Sequence, residues 1–299
     1  MDLNGTWHWR REAGDEHPVE VPGLLTDPRK PSPDVIRLHR RVTCPDEATH
    51  ATLLLKGARF RPEISVNGQR QARHPGGMAW VRSRLDLRGI EGAFDLEIAL
   101  QSLDAVPDSD ASKIPPADSW RSNLSSHLWD DVSIRFHGAT AFARLFAWSD
   151  AEGEVHARAV LAGPAPARVR FTVQDADGTS VLEHVVDVDA TAETLDCLLP
   201  GGNQLDVWSP ERPVLYRLTA EIEAGDAVLD RETVTLARRR FGIRDKRFEL
   251  NGQPVTLRAG SIVWHRWLRD PEAADLAWDT EWLIENVLLR LKRMGANTI

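Results

Sequence analysis

His265 is one of the few residues whose type and place suggest chemistry. It closes an apolar, strand-like run over residues 255–265, directly after Trp264 and before Arg266-Trp267. An imidazole at a strand end can donate or accept a hydrogen bond. A second group is Asp118-Ser119-Trp120-Arg121, where carboxylate, hydroxyl, indole and guanidinium follow one another inside a loop rich in Asp, Ser and Pro. The chain has 11 Trp against a single Tyr. Indoles stack on the apolar faces of sugar rings, which hints at carbohydrate, but they equally fill sandwich cores and staple strand ends. Glu281 and Glu285 lie on a helical stretch and read as solvated. Arg238-Arg239-Arg240, the one compact basic run, reads as a solvated strand end. Cys44 and Cys197 are far apart and lack metal spacing, so both read as inert small apolar residues. No residue is nominated for a metal or a cofactor.

The elements that must position these groups are mostly strands. With 299 residues the chain has room for about two to three domains. Its 42% hydrophobic and 27% charged content is that of a globular protein. The net charge of −8 argues against nucleic acid or an anionic membrane as partner. The first residues, Met1-Asp2-Leu3-Asn4-Gly5-Thr6-Trp7, lack the basic start and apolar run of a signal peptide. No apolar run approaches the ~18 residues of a membrane span. A cytoplasmic location is expected.

Residues 1–139 read as short strands split by turn signals, the pattern of a β-sandwich or jelly roll. Phe94, Leu96, Ile98 and Leu100 alternate cleanly onto one face. Asn67-Gly68 reads as a tight hairpin turn, and residues 128–134 read as one returning strand. Residues 140–241 carry six or seven strands at intervals near ten residues, which suits an immunoglobulin-like β-sandwich without the disulfide. Residues 242–299 change character. A hairpin turns at Asn251-Gly252, a strand follows over 255–265, and a helix is capped by Asp279 or Thr280. Ile284, Val287, Leu288 and Leu291 share one helix face, Lys292 and Arg293 complement the dipole, and Gly295 suits the residue past the end. Asn297-Thr298-Ile299 reads as the next strand. This is the first strand–helix unit of a parallel architecture, and it cannot bury its own faces.

At this point the residues resemble glycoside hydrolase family 2, the β-galactosidase, β-glucuronidase and β-mannosidase type, over nearly the whole chain. Leu3-Asn4-Gly5-Thr6-Trp7 resembles the family's L-N-G-x-W, and Val21-Pro22-Gly23 its V-P-G. Lys56-Gly57-Ala58 with Val66-Asn67-Gly68, and Leu128-Trp129-Asp130-Asp131-Val132, resemble jelly-roll motifs, the last with His127 in place of Gly. Residues 207–216, VWSPERPVLY, resemble the specific L-W-S-P-E-x-P-x-L-Y. Arg240-Phe241-Gly242-Ile243-Arg244 and Phe248-Glu249-Leu250-Asn251-Gly252 resemble the junction and the opening of the catalytic barrel.

The resemblance implies a mostly β chain: a jelly-roll, sugar-binding-type sandwich (1–139), an immunoglobulin-like sandwich (140–241) and the incomplete start of a (β/α)8 barrel (242–299). It implies a retaining exo-hydrolase of β-linked carbohydrate. Such enzymes place an acid/base and a nucleophilic carboxylate ~5–5.5 Å apart. In the family both are glutamates on later barrel strands. No Glu of residues 1–299 matches those motifs, so no catalytic residue is nominated, Glu249, Glu281 and Glu285 included, and the chain alone is expected to be inactive. Three sugar-contacting candidates remain by resemblance. His265 stands where a family histidine faces the pocket and hydrogen-bonds a hydroxyl, although the usual G-x-N-x-H lacks its Asn here. Asp118 resembles the Asp of a D-x-W-R loop that helps hold the sugar, and Trp120 is its stacking platform or the loop's anchor. Two other readings stay open. One is a non-catalytic carbohydrate-binding module, the other a truncated gene product without activity. Oligomeric state and sugar identity are not legible.

Overall fold

The computed structural model describes the chain except residues 12–13, 26–34, 60, 74–81, 102–126, 165–167, 190, 263–271, 274 and 278. The described residues are mostly β, 54% strand and 8% helix. Two compact units emerge. One comprises residues 1–136 and 261–290, the other residues 137–260 and 291–299.

The first unit holds β1 (Gly5–Arg11), β2 (His17–Val21), β3 (Gly23–Leu24), β4 (Ile36–Thr43), β5 (His50–Leu55), β6 (Ala58–Arg59), β7 (Glu63–Val66), β8 (Gln69–Arg73), β9 (Ser83–Leu87), β10 (Ala93–Leu100), β11 (His127–Leu128) and β12 (Val132–His137). A six-stranded sheet runs β2-β1-β4-β10-β7-β8, and two three-stranded sheets run β12-β5-β9 and β3-β11-β6. The pairings β1–β2, β1–β4, β4–β10, β7–β10, β7–β8, β3–β11, β6–β11 and β5–β9 are all antiparallel. The core forms because alternation sends one side of each strand inward. Phe94, Leu96, Ile98 and Leu100 of β10 are fully buried with Leu38, Ile64, Leu53 and Ile134. Arg40 falls in the inward register of β4, between Leu38 and Val42. It remains half-buried because its guanidinium donates to the Leu3 and Asn4 carbonyls. The turn after β7 is made by Asn67 and Gly68, both at positive φ (49° and 75°), as a two-residue hairpin requires.

One expectation needs correction here. Residues 128–134 are not a single strand. β11 ends at Leu128, β12 starts at Val132, and the two lie in different sheets. The chain turns a corner at Trp129-Asp130-Asp131, because Trp129 N–H donates to the Gly57 carbonyl and the Asp131 carbonyl accepts from Lys56 N–H.

The second unit is a seven-stranded sandwich. Its strands are β13 (Ala141–Ser149), β14 (Val155–Ala162), β15 (Arg168–Gln174), β16 (Ser180–Asp187), β17 (Thr194–Leu198), β18 (Tyr216–Ala224) and β19 (Ala227–Leu236). Sheets β13-β14-β17 and β16-β15-β18-β19 face one another across a core of Phe142, Val155, Phe171, Leu218 and Ile222. Three plus four antiparallel strands is the immunoglobulin-like arrangement. A meander follows: β20 (Phe241–Arg244), β21 (Arg247–Leu250) and β22 (Gln253–Pro254). Its turns are Asp245-Lys246 and Asn251-Gly252, all four at positive φ.

The strand–helix unit is only partly realised. No strand forms over residues 255–262. A single parallel bridge joins Ala259 to Thr298, and His265 lies outside the described residues. A parallel strand is normally covered on both faces, and among the described residues one bridge is what pairs it. The helix is three-part: α1 (Thr280–Leu283), a π-helical stretch (Ile284–Leu288) and α2 (Leu289–Arg293). The Asp279 carboxylate caps it by accepting from Trp282 N–H, 2.8 Å. Asn286 Nδ2 donates to the Trp282 carbonyl, 3.2 Å, the acceptor that an α-helix reserves for the Asn286 N–H, and the helix widens there. Gly295 (φ 90°) ends it, with its N–H on the Lys292 carbonyl. The shared apolar face is not buried: Ile284 is 41% exposed, and no residue of the three stretches is buried. No described helix is long and apolar enough to cross a membrane.

Candidate functional site

In the first unit, three of the quoted motifs converge on one carboxylate. Asn4 Nδ2 donates to Asp131 Oδ1 (2.9 Å), and Lys56 Nζ donates to Asp131 Oδ2. Asn4 Oδ1 in turn accepts from Val132 N–H (3.0 Å). The Lys56 hydrogen bond, seconded by Asn4, holds the Asp131 carboxyl below the usual aspartate range. Asp131 is therefore a fixed anion and not a proton donor near neutrality. Beneath it Gly57 lies so close to the Trp129 indole that a Cβ would stand 2.6 Å from Cε2. These side chains border an open cleft of about 620 Å³, with Asn4, Leu54, Lys56, Asp131 and Arg135 on its wall. On this wall the Lys56–Asp131 ion pair and the Asn4 amide are already engaged with each other. That is the chemistry of a fastener between the three motifs.

The second unit holds a clasp. Trp208 of the W-S-P-E motif donates its backbone N–H to the Arg238 carbonyl (2.8 Å). Arg238 reaches back with Nε to the Gly153 carbonyl (3.0 Å) and Nη1 to the Leu205 carbonyl (2.9 Å). The Arg239 guanidinium sits over the Trp208 ring, 4.9 Å from its centroid, a cation–π contact. Arg240 Nη1 donates to the Ala151 carbonyl. Asn251 closes the circuit: its Oδ1 accepts from Arg240 N–H (2.9 Å) and its Nδ2 donates to the Trp208 carbonyl (2.9 Å). The basic run is thus not a solvated strand end. Its three guanidiniums are spent on carbonyls and an indole, and they fix the meander to the sandwich. A cleft of about 180 Å³ runs along Ser149, Glu152, Val207 and the three arginines.

Of the three nominated sugar contacts, His265, Asp118 and Trp120 all lie outside the described residues. Glu249 pairs with Arg244 at 3.5 Å, and Glu281 and Glu285 are exposed. The Cys197 thiol is pushed up to about 11, chiefly by burial, so it is no nucleophile. Among the described residues no three His, Cys, Asp or Glu side chains gather as metal ligands. The sequence reading missed the clasp, although its signal was present: an arginine run and an Asn-Gly turn, each beside a quoted motif.

With this geometry in hand, the comparisons are specific. Residues 145–244 match the model of the family described as Glycosyl hydrolases family 2. No curated protein matches the chain. Among solved structures, the FMN-binding beta-glucuronidase from Facaelibacterium prausnitzii L2-6 is 16% identical with a TM-score of 0.67, covering 86% of this chain and 42% of that one. The beta-glucuronidase of Bifidobacterium dentium complexed with coumarin-3-O-glucuronide is 18% identical with a TM-score of 0.63, over 85% of this chain and 50% of that one. A family 2 glycosyl hydrolase from Bacteroides cellulosilyticus is 16% identical with a TM-score of 0.69, over 99% of this chain and 42% of that one. The chain thus spans half or less of the length of these structures, and at such identities they establish the shared fold.

Proposed function

We infer, from the match of residues 145–244 to the family 2 glycosyl hydrolase model, that the chain is the β-sandwich portion of a retaining exo-β-glycosidase acting on carbohydrate. The match over the immunoglobulin-like sandwich is the observation that carries this reading. We assign residues 1–139 to a jelly-roll domain, 140–241 to the immunoglobulin-like domain and 242–299 to the beginning of a (β/α)8 barrel. In such a barrel the active site forms at the C-terminal ends of the strands. His265 ends the first of them in sequence and would hydrogen-bond a sugar hydroxyl, with Asp118 and Trp120 reaching the sugar from the jelly-roll loop. The clasp of Trp208, Arg238 and Asn251 supports this division of labour. It builds a rigid joint at the point where the sandwich hands over to the barrel.

The acid/base and nucleophile belong, on this reading, to later barrel strands. Residues 1–299 alone therefore turn over no nitrophenyl β-glycoside. Measurable hydrolysis by the purified chain would overturn this account. The gene read past codon 299 provides the decisive check. An Asn-Glu pair and a later Glu at strand ends are expected, and a stop codon directly after Ile299 would exclude catalysis.

A further inference from the structure

We propose that the outward face of sheet β13-β14-β17 is a binding platform for a neutral oligosaccharide, with Phe146 and Trp148 on one side and the Arg158–Asp196 pair on the other. Strand alternation sends Leu145, Ala157 and Ala159 into the core and turns the residues between them outward. The registers set six side chains in two cross-strand rows, Phe146↔Arg158↔Asp196 and Trp148↔His156↔Leu198. Three rings of this grid form one near-parallel series. The Phe146 and Trp148 centroids are 5.5 Å apart at 19°, and those of Trp148 and His156 are 5.4 Å apart at 15°. The Arg158 guanidinium lies 5.8 Å from the Trp148 centroid. It also clamps Asp196, donating from Nε to Oδ1 (2.6 Å) and from Nη2 to Oδ2 (3.0 Å). At the far end of the series His156 Nε2 lies 2.7 Å from Asp150 Oδ2. Asp150 is itself fixed by the Glu152 and Glu154 N–H groups, so the rings are held in place.

Cross-strand packing accounts for Trp148 against His156. It does not account for Phe146 and Leu198, which stay 56% and 45% exposed at opposite corners of the grid. Nor does folding need the Arg158–Asp196 pair, whose two side chains are both about half exposed, because such a pair adds little to stability. The chemistry of the face selects its occupant. The C–H groups of a sugar ring are drawn to the negative face of an aromatic ring, and its hydroxyls need donors and acceptors beside that ring. The guanidinium of Arg158 and the carboxylate of Asp196 have further N–H groups and lone pairs beyond those spent on each other. The pair is neutral as a unit, which suits an uncharged polyhydroxyl ligand and not a phosphate. A protein partner fits less well. His156 and Arg158 run between the two exposed apolar corners, whereas the centre of a protein interface is apolar and poor in charge. All six side chains come from one sheet of the second unit, so a failure of this site leaves the family reading untouched.

The test is calorimetric titration of the 299-residue chain with neutral β-linked hexasaccharides of glucose, xylose, mannose and galactose. Binding to at least one of them in the millimolar range or tighter is expected. Phe146→Ala weakens it by about fivefold or more with the unfolding midpoint unchanged, and Arg158→Gln weakens it as well. Val185→Ala, on strand β16 of the opposite sheet, changes neither quantity. Failure of all four sugars to bind at millimolar concentration overturns the proposal. Binding that both Phe146→Ala and Arg158→Gln leave unchanged also overturns it, because the sugar then sits elsewhere on the chain. A chain that binds no sugar but sediments as a dimer, and as a monomer with Phe146→Ala, would give the face to a second copy instead.

Discussion

Gly57 shows how a motif residue earns its place. With no left-handed backbone to explain it, the constraint is space: an added Cβ meets the Trp129 ring at 2.6 Å and Asp130 Cβ at 2.9 Å. Gly57→Ala is expected to cost about 1–3 kcal/mol through overpacking, read as a lower urea midpoint. Gly138→Ala, where nothing lies within 4 Å, serves as the neutral control. Asp131 makes a statement about pH. Its pKa is lowered in the folded chain, with the Lys56 hydrogen bond as the largest cause. Its contribution is therefore present above the unfolded aspartate value of ~3.9 and is lost as pH falls through the lower folded value. Lys56→Met raises the Asp131 pKa toward the ordinary value, so the acid-side contribution shrinks and its loss is complete at a higher pH. An NMR titration of the carboxylate checks the direction. With the carboxylate 42% exposed, the effect on stability stays below ~1 kcal/mol.

At the scale of elements the clasp carries the strongest expectation. Arg238 is half-buried and satisfies two carbonyls. Arg238→Met keeps its bulk but strands both acceptors, at a cost of about 1–3 kcal/mol. Asn251→Ala removes the bonds to Arg240 and Trp208 and puts alanine at φ 52°, where asparagine is better tolerated. The meander should then open separately from the sandwich. Hydrogen exchange reports it as faster exchange at Asn251 N–H and Val255 N–H, which donate to the Arg240 and Phe248 carbonyls, while β18 stays protected. Uniform loss of protection across both would show instead that meander and sandwich open as one unit.

For the molecule as a whole, two apolar clusters are separate. One runs from Leu3 to Ile134, the other from Phe142 to Leu236. Calorimetry of the 299-residue chain is expected to depart from a single two-state transition, with a van't Hoff enthalpy below the calorimetric one. A ratio of one would mean that the two cores melt together. Their separation also explains why the sandwiches were legible from sequence. Phe94-Leu96-Ile98-Leu100 and the strands at ten-residue spacing carry a period-two signal that needs no distant partner to be read. The Asn-Gly turns and the Asp279 cap were legible for the same reason, since each is a contact within four residues.

The sequence by itself determined the class of the chain, most of the strands, the turns and the resemblance to family 2. Local patterning and local hydrogen bonds specify those features. Only the tertiary structure decided what the motif residues do. Asn4, Lys56 and Asp131 are dispersed across 128 residues, as are Trp208, Arg238 and Asn251 across 44, and their hydrogen bonds exist only once the sheets have brought them together. It also decided against a strand over the described residues 255–262 of the expected one and left the helix face at Ile284 open, as a unit that cannot bury its own faces must. A parallel strand and an amphipathic helix gain their stability from the layers that cover them, and none of the described residues supplies those layers.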